Sequence, residues 1–327
     1  MNTFNILFTS VGRRVNIVQY FRQVLKSLEL TGNIVTVDLH KHAPASFLAD
    51  FTEQVCPVTN SKYVSQLLDI CAKYQIKLLI PLIDTELHLL SLHKQDFAEI
   101  GVTVLVSSAE TNEICMDKRK TFTFFKSIGV QTPEIYDYET IIADKQAQYP
   151  FLIKPYNGSS SNGVTIVKNS KELEFFKDYI PNAIIQEFVI GQEYTLDILV
   201  DFQGQVQMIV PRKRIETRAG EISKGMTVKN YDLIHAGKIV VSSLKDAIGC
   251  ITVQCFLQPD GEIKFIEINP RFGGGFPLSY QAGANFPRLI LEMMLGKKYQ
   301  TAIDNWQENI VMLRYDEAIF VNREAII

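Results

Sequence analysis

Apolar residues in the first third of the chain alternate between two periods. The runs Phe4–Thr9, Ile34–Val37, Leu78–Pro81 and Val102–Val106 are short and nearly continuous, as expected of strands buried on both faces. Between them, Val15–Leu28, Val64–Tyr74 and Leu87–Phe97 repeat apolar side chains at helical spacing. Strand and helix in strict alternation predict an α/β unit with a parallel sheet over residues 1–114.

The pattern changes after residue 114. Met116–Ile128 reads as a basic and apolar helix stopped by Gly129, and Thr132-Pro133 opens an extended stretch. Strand patterns then dominate: Tyr149–Lys154, Val164–Val167, Ala183–Val189, Glu193–Asp201, Val206–Pro211 and Ile251–Leu257. Helical spacing returns at Lys171–Tyr179, Tyr231–Ile248 and Ala282–Leu295, and Ile310–Val321 reads as a final strand. This is an α+β pattern of hairpins and helices over 115–327, dividing near residue 190.

Composition narrows the classes. The 327 residues are 46% hydrophobic and 21% charged, with net charge −3, which is ordinary for a globular protein with an ample core. Interspersed charge argues against a nucleic-acid or membrane-surface partner, and no apolar run reaches membrane-spanning length. Five cysteines without a C-x-x-C pair read as reduced thiols, so the expected location is cytoplasmic.

The chemistry concentrates in Gly261–Gly275. Ile263, Phe265, Ile266 and Ile268 form a β-type run, and Glu267 and Asn269, two apart on a strand, share a face. A hairpin through Pro259-Asp260-Gly261 would set the amide oxygen of Gln254 beside Glu267, giving three hard oxygen ligands. Arg271 adds a planar cation suited to phosphate oxygens. The bland alternative is a half-buried strand with solvated polar residues.

Further candidates are spread along the chain. Asn157–Val164 is a small-residue, glycine-bearing loop of the kind that surrounds phosphate, or else a flexible hairpin tip; Lys154 precedes it and Lys118 lies on the helix before. In 211–226, Arg212, Arg214 and Arg218 crowd one basic segment with two glycines to bend it, either a solvated loop or contacts to a carboxylate substrate. The turn Thr9–Arg14 lacks the dinucleotide fingerprint, so Asp38 has little support as a ribose ligand; its two arginines can meet an anionic substrate, and Arg13 is the candidate retained. Asp84 and Glu86 follow the carboxyl end of the third strand, where ligands sit in open sheets, although helix capping explains them equally well.

Taken in order, Asp117-Lys118, Phe151–Pro155 with the flap 157–164, Gln186–Val189, Gly191–Glu193, Gln254 and Glu267–Arg271 resemble the ATP-grasp superfamily over most of the chain. Within it they look most like a single synthetase unit of the carbamoyl-phosphate synthase large subunit. The resemblance implies a Rossmann-like pre-ATP-grasp domain (1–114) and an ATP-grasp domain (115–327). The latter would comprise a first subdomain with the flap (115–190) and a second with the metal site and C-terminal strand (191–327). It implies that Lys118 and Lys154 hold ATP phosphates under a flap including Gly158, Ser159, Ser160, Ser161 and Gly163. Gln186, Glu187, Phe188 and Val189 would receive adenine, and Glu193 the ribose. Gln254, Glu267 and Asn269 would hold one or two Mg2+ ions, with Arg271 catalytic. The implied activity is an ATP-dependent carboxylate–amine ligase acting through an acyl phosphate on small molecules. Its alternatives are a carbamoyl-phosphate synthase fragment using bicarbonate and ammonia, or an ATP-binding subunit that needs a partner chain. A homodimer, or a partner amidotransferase or synthetase chain, stays open. The glycines after Arg271, where carbamoyl enzymes carry serines and another arginine, favour the ligase over bicarbonate.

Overall fold

The computed structural model describes residues 3–158, 163–297 and 301–326. Ser159, Ser160 and Ser161 of the expected flap lie outside the described residues.

The N-terminal part is a five-stranded parallel sheet ordered β3-β2-β1-β4-β5, formed by β1 (Asn5–Thr9), β2 (Ile34–Asp38), β3 (Phe51–Gln54), β4 (Ile76–Pro81) and β5 (Thr103–Val104). Helices α1 (Val15–Ser27), α2 (Tyr63–Lys73), α3 (Asp84–Leu92) and α4 (Lys94–Glu99) cover it. The sequence pattern misses β3 because that edge strand is mostly exposed and polar. It also reads α3 and α4 as one helix, although the backbone breaks at His93. Helices α5 (Ala109–Met116) and α6 (Lys118–Ser127) form the junction.

A small antiparallel sheet follows, ordered β6-β9-β7-β8, from β6 (Ile135–Tyr136), β7 (Phe151–Pro155), β8 (Thr165–Val167) and β9 (Ala183–Glu187). Helices α7 (Tyr138–Ala143) and α8 (Ser170–Tyr179) close its core around Phe151, Ile153 and Leu173. Along β7 the faces alternate: Phe151 and Ile153 enter that core, while Leu152 and Lys154 line a cavity on the other side.

The third layer is a six-stranded antiparallel sheet ordered β14-β13-β10-β11-β12-β15. It comprises β10 (Gln192–Val200), β11 (Val206–Arg218), β12 (Glu221–Thr227), β13 (Gly249–Leu257), β14 (Ile263–Asn269) and β15 (Val311–Leu313). The basic segment 211–226 is therefore a hairpin, not a loop. Arg218 pairs with Glu221 across Ala219-Gly220, both at positive φ (49° and 76°), the geometry of a two-residue hairpin turn. The expected final strand over 310–321 is only three residues long, Val311–Leu313, paired with Lys224–Met226 of β12, and the chain leaves the sheet after Arg314.

Helices α9 (Tyr231–Ser242), α10 (Phe276–Gln281) and α11 (Phe286–Met294) complete the fold. The helix pattern over 282–295 starts later than expected: Asn285 caps Arg288 N–H and Pro287 opens the first turn. One continuous core joins Phe4, Phe8 and Phe21 of the parallel sheet layer to Leu196, Ile251, Phe265 and Phe272 of the large sheet. Tyr20 stacks on Tyr280 at 3.6 Å and Phe21 meets Phe272 edge-on at 6.1 Å, so α1 is held against the segment that follows Arg271. That packing brings the carboxyl end of the parallel sheet over the hairpin β13–β14.

Candidate active site

Gln254 lies directly opposite Glu267, and Thr252 opposite Asn269, in the β13–β14 ladder. The ladder skips Ile266, because Cys255 pairs with Phe265. This bulge lets Phe265 and Ile268, three apart, both enter the core, while Ile266 and Glu267 turn towards a cleft. The Glu267 carboxylate makes no hydrogen bond or ion pair among the described residues, and the buried Asn269 side chain is equally free. Gln254 Oε1 accepts only a long 3.3 Å bond from Arg214 Nη1. One carboxylate and two amide oxygens suit a hard divalent cation. Among the described residues no group of three or more His, Cys, Asp or Glu is gathered for a metal, so the amides are needed.

Two cavities meet at this point. The first, of about 240 Å³, is walled by Leu152, Phe188, Phe256 and Ile266, with Lys154, Gln186 and Glu193 at its margin. The second, of about 580 Å³, is charged and is walled by Arg14, Asp84, Arg212, Arg214, Glu221 and Arg271. Lys118, Gly158, Gln254 and Glu267 line both, so they stand at the border between an apolar slot and a polar chamber.

The lysines are placed by backbone anchoring. Asp117 caps α6 by accepting from Arg119 N–H, and Lys118 N–H donates to Tyr156 O at 2.9 Å. Lys118 Nζ reaches Gly158 O at 2.5 Å. Lys154 is buried without a hydrogen bond among the described residues. Burial pulls its ammonium down to about 8, with Glu267 opposing that fall and Lys118 adding to it.

In the apolar slot Val189 N–H has no acceptor among the described residues. Glu187 N–H already donates to Glu134 O, and its carboxylate is held by Lys264 Nζ at 2.5 Å, so only its carbonyl is left for an adenine. Gln186 is buried and donates to Pro133 O, while Glu193 pairs with Arg214 at 3.0 Å and is raised by burial.

Three expected substrate residues stand elsewhere. Glu86 is fully buried: it accepts from Tyr63 O–H at 2.7 Å, Ser10 O–H at 3.2 Å and the amides of Leu82 and Ile83, which makes it a structural cap of α3. Arg218 pairs with Asp316 on the open surface, and its side chain is 78% exposed because the hairpin carries it beyond the chamber. Arg13 is exposed and does not line the chamber; its neighbour Arg14, turned inward at the start of α1, does. Asp38 is also consumed internally, holding the amides of Gly12 and His40, which removes it as a ribose ligand.

Asp84 and the basic strand residues do face the chamber. Arg271 Nη2 donates to Asp84 at 2.6 Å; burial disfavours the guanidinium's charge, but Asp84, with the further charge of Glu267, raises it above its ordinary value. Arg212 forms a bidentate pair with Asp197 at 2.7 and 2.9 Å, and Ser279 O–H completes it at 2.6 Å. Yet Arg212 Nη1, Arg214 Nε, Arg271 Nε and Asp84 Oδ1 are all buried on this one chamber without a hydrogen-bond partner among the described residues. Buried polar atoms without partners are uncommon in native proteins, and four around one chamber mark a ligand site. Glu221 and the Gly273–Gly275 run carried no signal in sequence beyond the glycines themselves.

Residues 115–275 match the family model for an ATP-grasp domain, and residues 6–105 match the PylC-like N-terminal domain. The chain belongs to the ATP-grasp superfamily. Its N-terminal parallel sheet followed by an antiparallel-sheet ATP-grasp domain is the α/β arrangement expected from the sequence. It is 36% identical over 192 residues to the 3-methyl-D-ornithine–L-lysine ligase of Methanosarcina mazei, covering 57% of this chain and 47% of that protein. It is 27% identical over 179 residues to the D-alanine–D-alanine ligase of Fusobacterium nucleatum, covering 52% and 61% respectively. The chain thus spans about half to three fifths of the length of these curated relatives. In fold it is similar to the biotin carboxylase domain of Hydrogenobacter thermophilus 2-oxoglutarate carboxylase in complex with MgADP. That match has a TM-score of 0.75 and 17% identity, covering 95% of this chain and 74% of that one. Among the described residues no helix is long and apolar enough to cross a membrane.

Proposed function

We propose that this ATP-grasp protein is an ATP- and magnesium-dependent carboxylate–amine ligase working through an acyl phosphate. The observation that carries the reading is the border itself: Lys118, Gln254 and Glu267 line both the apolar slot and the charged chamber. A nucleotide lying across it would put its base against Leu152, Phe188 and Ile266 and its phosphates at the lysines and the acid–amide array. Val189 N–H and the Glu187 carbonyl would take the adenine edge, with Gln186 beside them, and Glu193 would face the ribose. Gly158 and Gly163 would bracket the flap. Gln254, Glu267 and Asn269 would hold one or two Mg2+ ions, whose bound charge would offset that of the phosphates.

Chemistry in this arrangement is positioning and charge compensation. A carboxylate oxygen of the acid attacks the γ-phosphorus; the new P–O bond forms as the bond to ADP breaks. Arg271, fixed by Asp84, lies where the transferred phosphoryl group needs a cation. Arg212 and Arg214 present free N–H donors to the acid. An amine then attacks the acyl carbon, phosphate leaves and the amine gives up a proton.

The glycines at 273–275, where carbamoyl enzymes carry serines and another arginine, favour an organic acid over the carbamoyl-phosphate alternative. Coupled ADP release with Mg-ATP tests the reading, comparing pooled amino acids and small carboxylic acids against bicarbonate plus ammonia. Turnover with an organic acid and amine supports it. Turnover with bicarbonate and ammonia alone replaces it by the carbamoyl-phosphate reaction, and ATP binding without any turnover replaces it by a subunit that needs a partner chain.

A further inference from the structure

The charged chamber contains a loose ion pair whose two charges face each other without a hydrogen bond. Glu221, at the start of β12, and Arg14, just before α1, both line it. Arg314 Nη1 donates to Glu221 Oε2 at 3.1 Å, which fixes the carboxylate. The other oxygen, Oε1, stays 4.0 Å from Arg14 Nη2, beyond hydrogen-bond reach. Neither Oε1 nor the Arg14 guanidinium makes a hydrogen bond among the described residues.

Gly274 keeps the gap between them open. A Cβ there would lie 2.8 Å from Arg14 Nη1 and 3.0 Å from Glu221 Oε1. Burial, and then the neighbouring charge of Arg271, bring Arg14 down to about 10, so this cation is short of compensating charge. Glu221 is held low: burial opposes its charge, but Arg14 and Arg314 together outweigh it, and the carboxylate stays ionised. Asp84 Oδ1, a further acceptor without a donor, is on the same wall.

Such a wall discriminates by charge. A plain acid would satisfy Arg14 and Arg271 but be repelled by Glu221. A plain amine would satisfy Glu221 and meet two arginines. A zwitterion satisfies both sides.

We propose that Glu221 is the specificity-determining residue of the acid site, holding the ammonium of an α-amino acid whose carboxylate lies between Arg14 and Arg271. The inference rests on the ligase reading and names its acid substrate class.

The experiment measures ADP release by the wild type and by Glu221→Gln, Glu221→Asp and Arg14→Lys. Each is given the best amino acid from a pooled screen and the same acid lacking its amino group. The wild type should favour the amino acid by about tenfold or more in KM. Glu221→Gln should raise the amino-acid KM by about tenfold, leave or lower that of the des-amino acid, and leave KM for Mg-ATP within about twofold. Glu221→Asp, which keeps the charge, should retain the preference even if Glu221→Gln lowers Tm. Equal use of the two acids by the wild type, or an equal shift of both in Glu221→Gln, overturns the proposal while the ligase reading stands. Calorimetric binding of the amino acid beside a non-hydrolysable Mg-ATP analogue separates the remaining case. Binding that Glu221→Gln abolishes supports the seat even where turnover is absent and the ligase reading fails; no binding to the wild type overturns the seat.

Discussion

Arg271 Nη2 donates to Asp84 at 2.6 Å across 187 residues of sequence, tying the first turn of α3 in the N-terminal layer to the end of the β13–β14 hairpin. The contact fixes the arginine that we propose meets the transferred phosphoryl group. Asp84→Asn should lower kcat by about tenfold or more while KM for Mg-ATP changes little, because a charge-assisted bond to a positioning carboxylate is lost. Steady-state kinetics at saturating ATP read this split, and unchanged kcat would show that Arg271 holds its place without Asp84.

Glu267 is the only carboxylate of the proposed metal set, and it makes no hydrogen bond or ion pair among the described residues. Glu267→Gln should therefore cut ADP release by at least ~100-fold while leaving Tm nearly unchanged, since no intramolecular bond is broken. Turnover near the wild-type level would remove Glu267 from the metal site.

Lys154 gives a pH signature. Burial moves its ammonium from 10.5 in the unfolded chain to about 8 in the folded protein. The unfolded chain binds more protons between these values, so folding stability from this group rises as pH climbs from about 8 towards 10.5. Below pH 8 the buried charge costs on the order of 3 kcal/mol. Lys154→Met should raise Tm at pH 7, lose that advantage near pH 10, and abolish the Tm shift caused by Mg-ATP. Thermal melts across this range check the sign; a lower Tm at pH 7 would contradict it.

Gly275 backs the Arg212 guanidinium. A Cβ there would sit 2.2 Å from Arg212 Nη1, and the arginine, locked to Asp197, has no room to give way. Gly275→Ala should destabilise the protein by about 1–3 kcal/mol and raise KM for the acid more than for ATP. Denaturant melts and acid titrations of ADP release measure both effects. A neutral outcome in each would mean that Arg212 does not contribute its free donor to substrate.

The order of strands and helices was legible because buried strands and amphipathic helices differ in period, and that difference survives in a single sequence. That Lys118, Lys154, Gln254, Glu267, Asn269 and Arg271 line two adjoining cavities was legible for another reason. Lys154, Glu267, Asn269 and Arg271 lie near the ends of β7 and β14, Lys118 opens α6 behind a capping aspartate, and Glu267 and Asn269, two apart, share a face. The bulge at Ile266 was not legible, since a run of alternating and adjacent isoleucines fits either register until Phe265 and Ile268 are seen in one core. Nor was the choice of Arg14 over Arg13, or of Arg212 and Arg214 over Arg218. In the first case the turn before α1 decides which guanidinium points inward; in the second, a 13-residue strand carries its last arginine past the chamber wall.

The sequence alone therefore determined the layers and pointed to the candidate residues that line the two adjoining cavities, because both depend on local period and short offsets. Tertiary structure decided the charged chamber. Its wall is built from β1–α1, the start of α3, the β11–β12 hairpin, the glycine run and, behind Glu221, Arg314 of the C-terminal segment. Residues that far apart in the chain carry no shared pattern, and only the packing of α1 against the segment after Arg271 brings them within a few ångströms.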